Sequence, residues 1–176
     1  MTTNATAPDE VAWACEWFEI VAKRPPSFAK PHYSIRTKDY VAVVTVDSEG
    51  RLLLVRQLRP AVDGVTLEFP CGHVEPGETP EDAARKELLE ETGHVAERFE
   101  LLANLSPDTG RLGNRMWVFF AGNACPAPGR TIEGEAGVDW LRFEGGARDL
   151  LAQKDFCSAL NWAALLAAVR RGRLRF

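Results

Sequence analysis

From Gly72 to Gly93 the chain reads G-H-V-E-P-G-E-T-P-E-D-A-A-R-K-E-L-L-E-E-T-G, a glycine-containing loop that runs straight into an acidic helix. Both ends of that helix are written in side chains. Thr79 is a good N-cap, Pro80 suits the first helical position, and Glu81 and Asp82 complement the positive end of the dipole. Asp82, three residues after Thr79, forms a shortened capping box, and Gly93 stands where a C′ glycine stops a helix. The segment Thr79–Thr92 is therefore predicted to be helical. Just ahead of it, Glu75-Pro76-Gly77-Glu78 puts Pro and Gly where a type II turn wants them.

The rest of the chain is mostly strand-forming. Tyr40–Asp47 is a β-branched apolar run, Ser48-Glu49-Gly50 a turn, and Leu52–Leu58 the return strand of a hairpin. Further strands are expected at Val65–Phe69, Leu101–Leu105, Met116–Ala121 and Val138–Phe143. Cys15–Lys23 and His32–Thr37 are β-prone, with Pro25, Pro26 and Pro31 breaking the chain between them. Residues 1–10 read as a disordered leader, 11–38 as an N-terminal β extension, and 39–176 as the main domain. Ala124–Gly137 reads as a loop. Phe156–Arg170 has helical periodicity, with Leu160, Ala164, Leu165, Ala168 and Val169 on one side. The order implies an α+β fold with an early helix inserted among mostly antiparallel strands.

Composition narrows the function classes. A net charge of −4 over 176 residues gives no broad attraction to nucleic acid or anionic membrane, so an anionic ligand needs a local arrangement of cations. Cys15, Cys71, Cys125 and Cys157 form no C-x-x-C pair, which argues against zinc and fits free thiols in a reducing cytoplasm. No apolar run is long enough to span a bilayer. Trp117, Trp140 and Trp162 lie in apolar runs and are expected in the core. Arg170, Arg171, Arg173 and Arg175 close a helix, where positive charge is favourable and usually solvated.

The chemistry lies on the acidic helix. Glu87 and Glu91 are i,i+4 neighbours and Glu90 lies i+3 from Glu87, so the three carboxylates share an arc of about 140°. Leu88 and Leu89 point elsewhere, toward a core. Two readings stand at this point: a solvated acidic face, or a site for a hard, oxygen-seeking ion such as Mg²⁺ or Mn²⁺.

The stretch resembles the Nudix box, G-x5-E-x7-R-E-U-x-E-E-x-G-U with U apolar. Gly72, Glu78, Glu87, Leu88, Glu90, Glu91 and Gly93 match at the required spacing. Lys86 replaces the arginine and His94 the last apolar residue. The resemblance implies an α/β/α sandwich of mixed sheets carrying the loop–helix and a C-terminal helix. It implies that Glu87, Glu90 and Glu91 hold Mg²⁺ or Mn²⁺ with the Cys71 backbone carbonyl. Glu78 would be structural, paired with Lys86 to brace loop against helix.

Gln57-Leu58-Arg59 and Leu67-Glu68-Phe69-Pro70-Cys71-Gly72 resemble the Q-x-R … L-E-x-P-A-G arrangement of ADP-ribose pyrophosphatases. That likeness implies Arg59 on a diphosphate and Glu68 lining the substrate site. Ser106-Pro107-Asp108-Thr109-Gly110 resembles the subgroup's S-P-G turn, about two residues longer. Glu133-Gly134-Glu135 resembles its E-x-E loop, with Glu133 expected as general base and Glu135 as an auxiliary ligand. The implied reaction is Mg²⁺-dependent hydrolysis of a nucleoside diphosphate-linked small molecule in the cytoplasm, ADP-ribose first, yielding AMP and ribose 5-phosphate. The rivals are another nucleotide sugar, a dinucleotide or a damaged nucleotide, and a non-catalytic ligand sensor. Trp17 and Phe18 lie in the N-terminal extension, which in similar enzymes helps to build a homodimer.

Overall fold

The computed structural model describes residues 9–129 and 137–176. Strands β1 (Glu10–Ala14), β2 (Glu19–Lys23) and β3 (His32–Arg36) pair antiparallel as a three-stranded sheet. Cys15–Lys23 is thus not one strand. Cys15–Phe18 is the reversal, where the Cys15 amide donates to the Phe18 carbonyl at 3.0 Å. That turn contains no Gly, Pro or Asn, and so carries none of the usual signals. β1 begins at Glu10, inside the segment expected as leader.

The larger sheet contains β4 (Tyr40–Asp47), β5 (Leu52–Arg59), β6 (Gly64–Glu68), β7 (Cys71–His73), β8 (His94–Val95), β9 (Phe99–Leu105), β10 (Met116–Pro126) and β11 (Val138–Phe143). Its main path runs β11-β5-β4-β10-β8, with β6 on β5, β7 on β4 and β9 on β10. β4 and β10 are parallel, with Met116 opposite Tyr40, while the other pairs are antiparallel. Among the described residues three α-helices complete the fold: α1 (Pro80–Thr92), α2 (Ala147–Leu151) and α3 (Ala159–Arg170).

β4 explains the layering. Its side chains alternate, so Val41 and Val43 pack with Ala83, Ala84 and Leu88 of α1, while Ala42 and Val44 pack with Ala164, Leu165 and Ala168 of α3. A strand covered on both faces must be apolar throughout, which is why Tyr40–Asp47 reads as a continuous run. The result is the expected α/β/α sandwich of mixed strands.

Several boundaries differ from expectation. β10 continues to Pro126, into the segment read as loop from Ala124. A slip in pairing between Ala121 and Ala124, with Asn123 at φ 54°, absorbs the irregularity, and Cys125 and Pro126 then pair with Val95 and His94. α3 begins at Ala159 because the Ser158 hydroxyl caps the Asn161 amide. Phe156, ahead of it, is buried edge-on against Phe69. Of the three tryptophans expected in the core, Trp117 is half-buried and packs against the Val41–Leu88 cluster, Trp140 is half-buried, and Trp162 is 42% exposed. An indole N–H needs an acceptor, and Trp117 finds Asp39 at 3.0 Å while Trp162 finds the Phe156 carbonyl at 2.8 Å.

Asp47 closes the β4–β5 turn. Its buried carboxylate accepts from the Glu49 and Arg51 amides at 2.9 Å each and from Arg51 Nε at 2.8 Å. Burial alone would raise its pKa, but the Arg51 and Glu49 hydrogen bonds outweigh that and hold it below the usual carboxylate range. Its folded pKa being the lower one, the stabilisation is complete above the ordinary carboxylate range and is lost as pH falls through the folded value. Asp47→Asn is expected to cost about 1–3 kcal/mol at neutral pH. Urea unfolding across pH should show the two proteins converging only in acid.

Candidate active site

The loop before α1 is held by the sheet. In β7, Cys71, Gly72 and His73 pair with Ala42, Val41 and Tyr40 of β4, and the Val74 amide donates to the Asp39 carbonyl at 2.9 Å. The turn follows as expected. Gly77 sits at φ 86°, and the Glu78 amide donates to the Glu75 carbonyl at 3.0 Å. The Glu78 carboxylate accepts the Glu75 amide in return at 3.0 Å, and Lys38 reaches Glu75 at 2.6 Å. Glu78 thus closes the turn ahead of the helix on itself. Lys86 stands 3.9 Å from Glu78 and 3.6 Å from Glu87, so it bridges the loop carboxylate and the helix carboxylate.

α1 begins and ends where its caps place it. Thr79 accepts the Asp82 amide at 3.2 Å, and Gly93 at φ 67° donates to the Leu89 carbonyl. One helix face turns Glu87 and Glu91 inward, 8% and 2% exposed, while Glu90 lies on the exposed side. The Glu91 carboxylate accepts the Cys71 amide at 2.9 Å. The Glu87 carboxylate occupies the space beside Gly72 so closely that a Cβ there would lie 2.1 Å from it. Gly72 is required by this close approach.

Beside this clasp lies a cavity of about 420 Å³ between the sheet and the start of α3. Its polar centre is a forked ion pair: Arg59 Nε and Nη2 donate to the two Glu68 oxygens at 2.8 and 2.7 Å. Thr66 donates to the same carboxylate at 2.5 Å. Burial opposes the charge on Glu68, but Arg59 and Thr66 prevail and lower its pKa; Glu68 in turn raises that of Arg59. The Cys71 thiol lies 3.6 Å from both Arg59 and Glu68. Burial first, then Glu91 and Glu68, push that thiol well above its ordinary range, so it stays protonated. Tyr40 lines the same space, and burial, with Cys71 and Glu68, keeps its phenol neutral.

Thus Glu87, Glu91, the Cys71 backbone, Arg59 and Glu68 lie together around one loop, with Glu90 at its solvent side. Glu133 and Glu135 lie outside the described residues. The sequence reading missed Thr66, Tyr40 and Asn161. Thr66 had a signal, since it shares a strand face with Glu68. Tyr40 and Asn161 had none, because strand pairing and helix packing bring them in. Asn161 Oδ1 accepts the Phe69 amide at 2.7 Å, fastening α3 to the cavity wall. His94, the box position that departs from the apolar type, is fully buried. Its Nδ1 lies 2.7 Å from the Thr92 carbonyl, and its ring stands edge-on to Trp140 at 4.8 Å.

Fold and site together define an α/β/α protein that clasps an acidic helix to a glycine loop beside a polar-centred cavity. The NUDIX domain family matches residues 36–156, and the chain belongs to that family. ADP-ribose pyrophosphatase of Bacillus subtilis (strain 168) is 36% identical over 81 residues, 46% of this chain and 44% of that protein. ADP-sugar pyrophosphatase of Mus musculus is 46% identical over 59 residues, 34% and 27% of the two chains. ADP compounds hydrolase NudE of Escherichia coli (strain K12) is 30% identical over 122 residues, 66% and 63%. Each match spans less than two thirds of the relative. A solved structure of an ADP compounds hydrolase superposes with a TM-score of 0.77 over 96% of this chain and 95% of that one; at 24% identity it shows the shared fold.

The Arg59–Glu68 pair generates a stability prediction. Arg59→Ala leaves the Glu68 carboxylate, 7% exposed, without its counter-charge. Arg59 itself is 38% exposed, so solvent screening reduces the loss to about 1–3 kcal/mol. An apolar pair, Arg59→Met with Glu68→Leu, should recover at least half of it. Equilibrium urea unfolding of the three proteins tests this.

Proposed function

We propose that this chain hydrolyses the pyrophosphate linkage of a nucleoside diphosphate joined to a small group, with ADP-ribose the first substrate. One observation carries the reading: the Glu87–Gly72 and Glu91–Cys71 clasp opens beside the cavity centred on Arg59 and Glu68. The names of the relatives, ADP-ribose pyrophosphatase, ADP-sugar pyrophosphatase and ADP compounds hydrolase, support the substrate class.

The clasp fits a hard divalent ion, Mg²⁺ or Mn²⁺, because its donors are oxygens drawn close to a backbone stripped of side chain at Gly72. Among the described residues, no three His, Cys, Asp or Glu side chains are gathered around one point. The proposed holders, Glu87, Glu90 and Glu91 with the Cys71 backbone carbonyl, follow from the match of this stretch to the Nudix box, and they would have to draw together around the ion. When bound, such an ion neutralises diphosphate charge and acidifies a coordinated water.

The chain's own residues divide the remaining work. Glu91 holds the Cys71 amide and so orients the loop. Glu87 lies against Gly72 and fills the space that a side chain there would take. Lys86 stabilises the Glu87 charge: burial disfavours the lysine's own charge, but Glu87 and Glu78 outweigh it and raise its pKa. Two of the three Arg59 guanidinium nitrogens are committed to Glu68, so Arg59 approaches the diphosphate as one member of a fixed pair. The sequence offers Glu133 as the base that takes the proton from the attacking water, with Glu135 beside it as an auxiliary ligand.

The N-terminal sheet supports a homodimer. Val11, Trp13, Trp17, Phe28 and Tyr33 are between 48% and 68% exposed there, an apolar surface suited to a second copy of the chain. Light scattering at micromolar concentration should give twice the chain mass; a monomer rejects this part of the reading. No helix among the described residues is long and apolar enough to cross a membrane.

The decisive variant is Gly72→Ala. The new Cβ first meets the far end of the Glu87 side chain, not backbone, so the fold should survive while the carboxylate is displaced. Hydrolysis of ADP-ribose in Mg²⁺, followed as AMP release, should fall by about 10²-fold or more, in line with loss of a transition-state electrostatic contact. Parental turnover in a folded Gly72→Ala protein would overturn the assignment of the clasp as the reacting centre.

A further inference from the structure

Tyr40 stands at the first position of β4, between His73 of β7 and Met116 of β10. This places its ring on the cavity wall beside Cys71 and Glu68. Its hydroxyl is buried, yet it has no hydrogen-bond partner. Among the described residues only one other buried side-chain polar atom shares that condition, Asn114 Oδ1. Asn114 does not line the cavity, and its amide nitrogen is tied to the Lys38 carbonyl at 3.0 Å.

A buried hydroxyl left unpaired is destabilising, and folded chains keep few of them. Glu68 would be the natural acceptor, but each of its oxygens already takes two donors, Arg59 and Thr66 at Oε1 and Arg59 and the Cys71 thiol at Oε2. The donor is thus left without an acceptor in a residue that lines the cavity. That space suits an uncharged guest. Arg59 and Glu68 neutralise one another, and Ala42, Val62, Met116 and Leu160 give it apolar walls. Its volume is enough for a nucleoside or a sugar moiety.

We propose that the Tyr40 hydroxyl is a specificity-determining donor, reading a hydrogen-bond acceptor on the uncharged group joined to the diphosphate when that group enters the Arg59–Glu68 cavity. The inference rests on the reading of this site as the substrate site. The acceptor can belong to the nucleoside or to the sugar at the other end, and the two products separate these cases.

The test uses the full chain with Mg²⁺ and compares the parent with Tyr40→Phe, which removes one oxygen and keeps the ring. Steady-state kinetics with ADP-ribose should show KM about 10-fold higher in the variant, the size of one net hydrogen bond, and changed by more than kcat. Inhibition by AMP and by ribose 5-phosphate should weaken for one of the two, identifying the end that Tyr40 reads. Thermal unfolding without ligand should be unchanged or raised, because an unpaired buried group is gone; a hydroxyl with a structural role would lower it. A folded Tyr40→Phe protein with parental KM and parental inhibition by both products overturns the proposal and leaves the substrate reading standing. Failure of that variant to fold also overturns it, by showing that the hydroxyl already has a partner. A folded parent that releases no AMP from ADP-ribose overturns the substrate reading, and the proposal with it.

Discussion

The site depends on one close approach, that of the Glu87 carboxylate to the backbone at Gly72. A carboxylate can come that near to a strand only where no side chain intervenes, and only if loop and helix are each held independently. The loop is held by three residues of β7 paired to β4 and by the Val74–Asp39 hydrogen bond. The helix is held by Ala83, Ala84 and Leu88 packed on Val41 and Val43. The same strand, β4, serves both attachments. Burying its two faces therefore sets the distance between loop and helix, and the Glu91 bond to the Cys71 amide completes the join.

Around that join, charge is arranged in fixed pairs. Arg59 with Glu68, and Lys86 between Glu78 and Glu87, hold ionised groups in place where burial alone would disfavour them. Preorganisation of this kind lets a site meet an anionic substrate without reorganising its own dipoles. Arg59, the arginine that the resemblance sets on a diphosphate, has two of its three guanidinium nitrogens engaged with Glu68 and forms part of the cavity wall. His94 follows the same logic in a different way. A histidine at a position usually apolar is accommodated because its ring packs on Trp140 and Nδ1 meets the Thr92 carbonyl; burial then lowers its pKa. With that carbonyl as partner, Nδ1 carries the proton and Nε2 is left to face Arg142 at 3.4 Å.

How much of this was legible in the chain differs residue by residue. Local chemistry determined the helix Thr79–Thr92, its caps, the Pro76-Gly77 turn and the apolar run of β4, because capping, φ preference and side-chain alternation act over three or four residues. The spacing of Glu87, Glu90 and Glu91 on one side of a helix is equally local, and with Gly72 and Glu78 it was enough to indicate the family. Tertiary structure alone decided which of those carboxylates are buried. It turned Glu87 and Glu91 to the loop and left Glu90 outside, locked Arg59 onto Glu68, and carried Tyr40 and Asn161 to a cavity that their neighbours in sequence do not suggest. It also decided that β10 runs on to Pro126 and that Trp162 stays at the surface. Each of these depends on contacts between segments tens of residues apart, whose geometry follows from sheet order and helix packing and leaves no periodic trace in the chain.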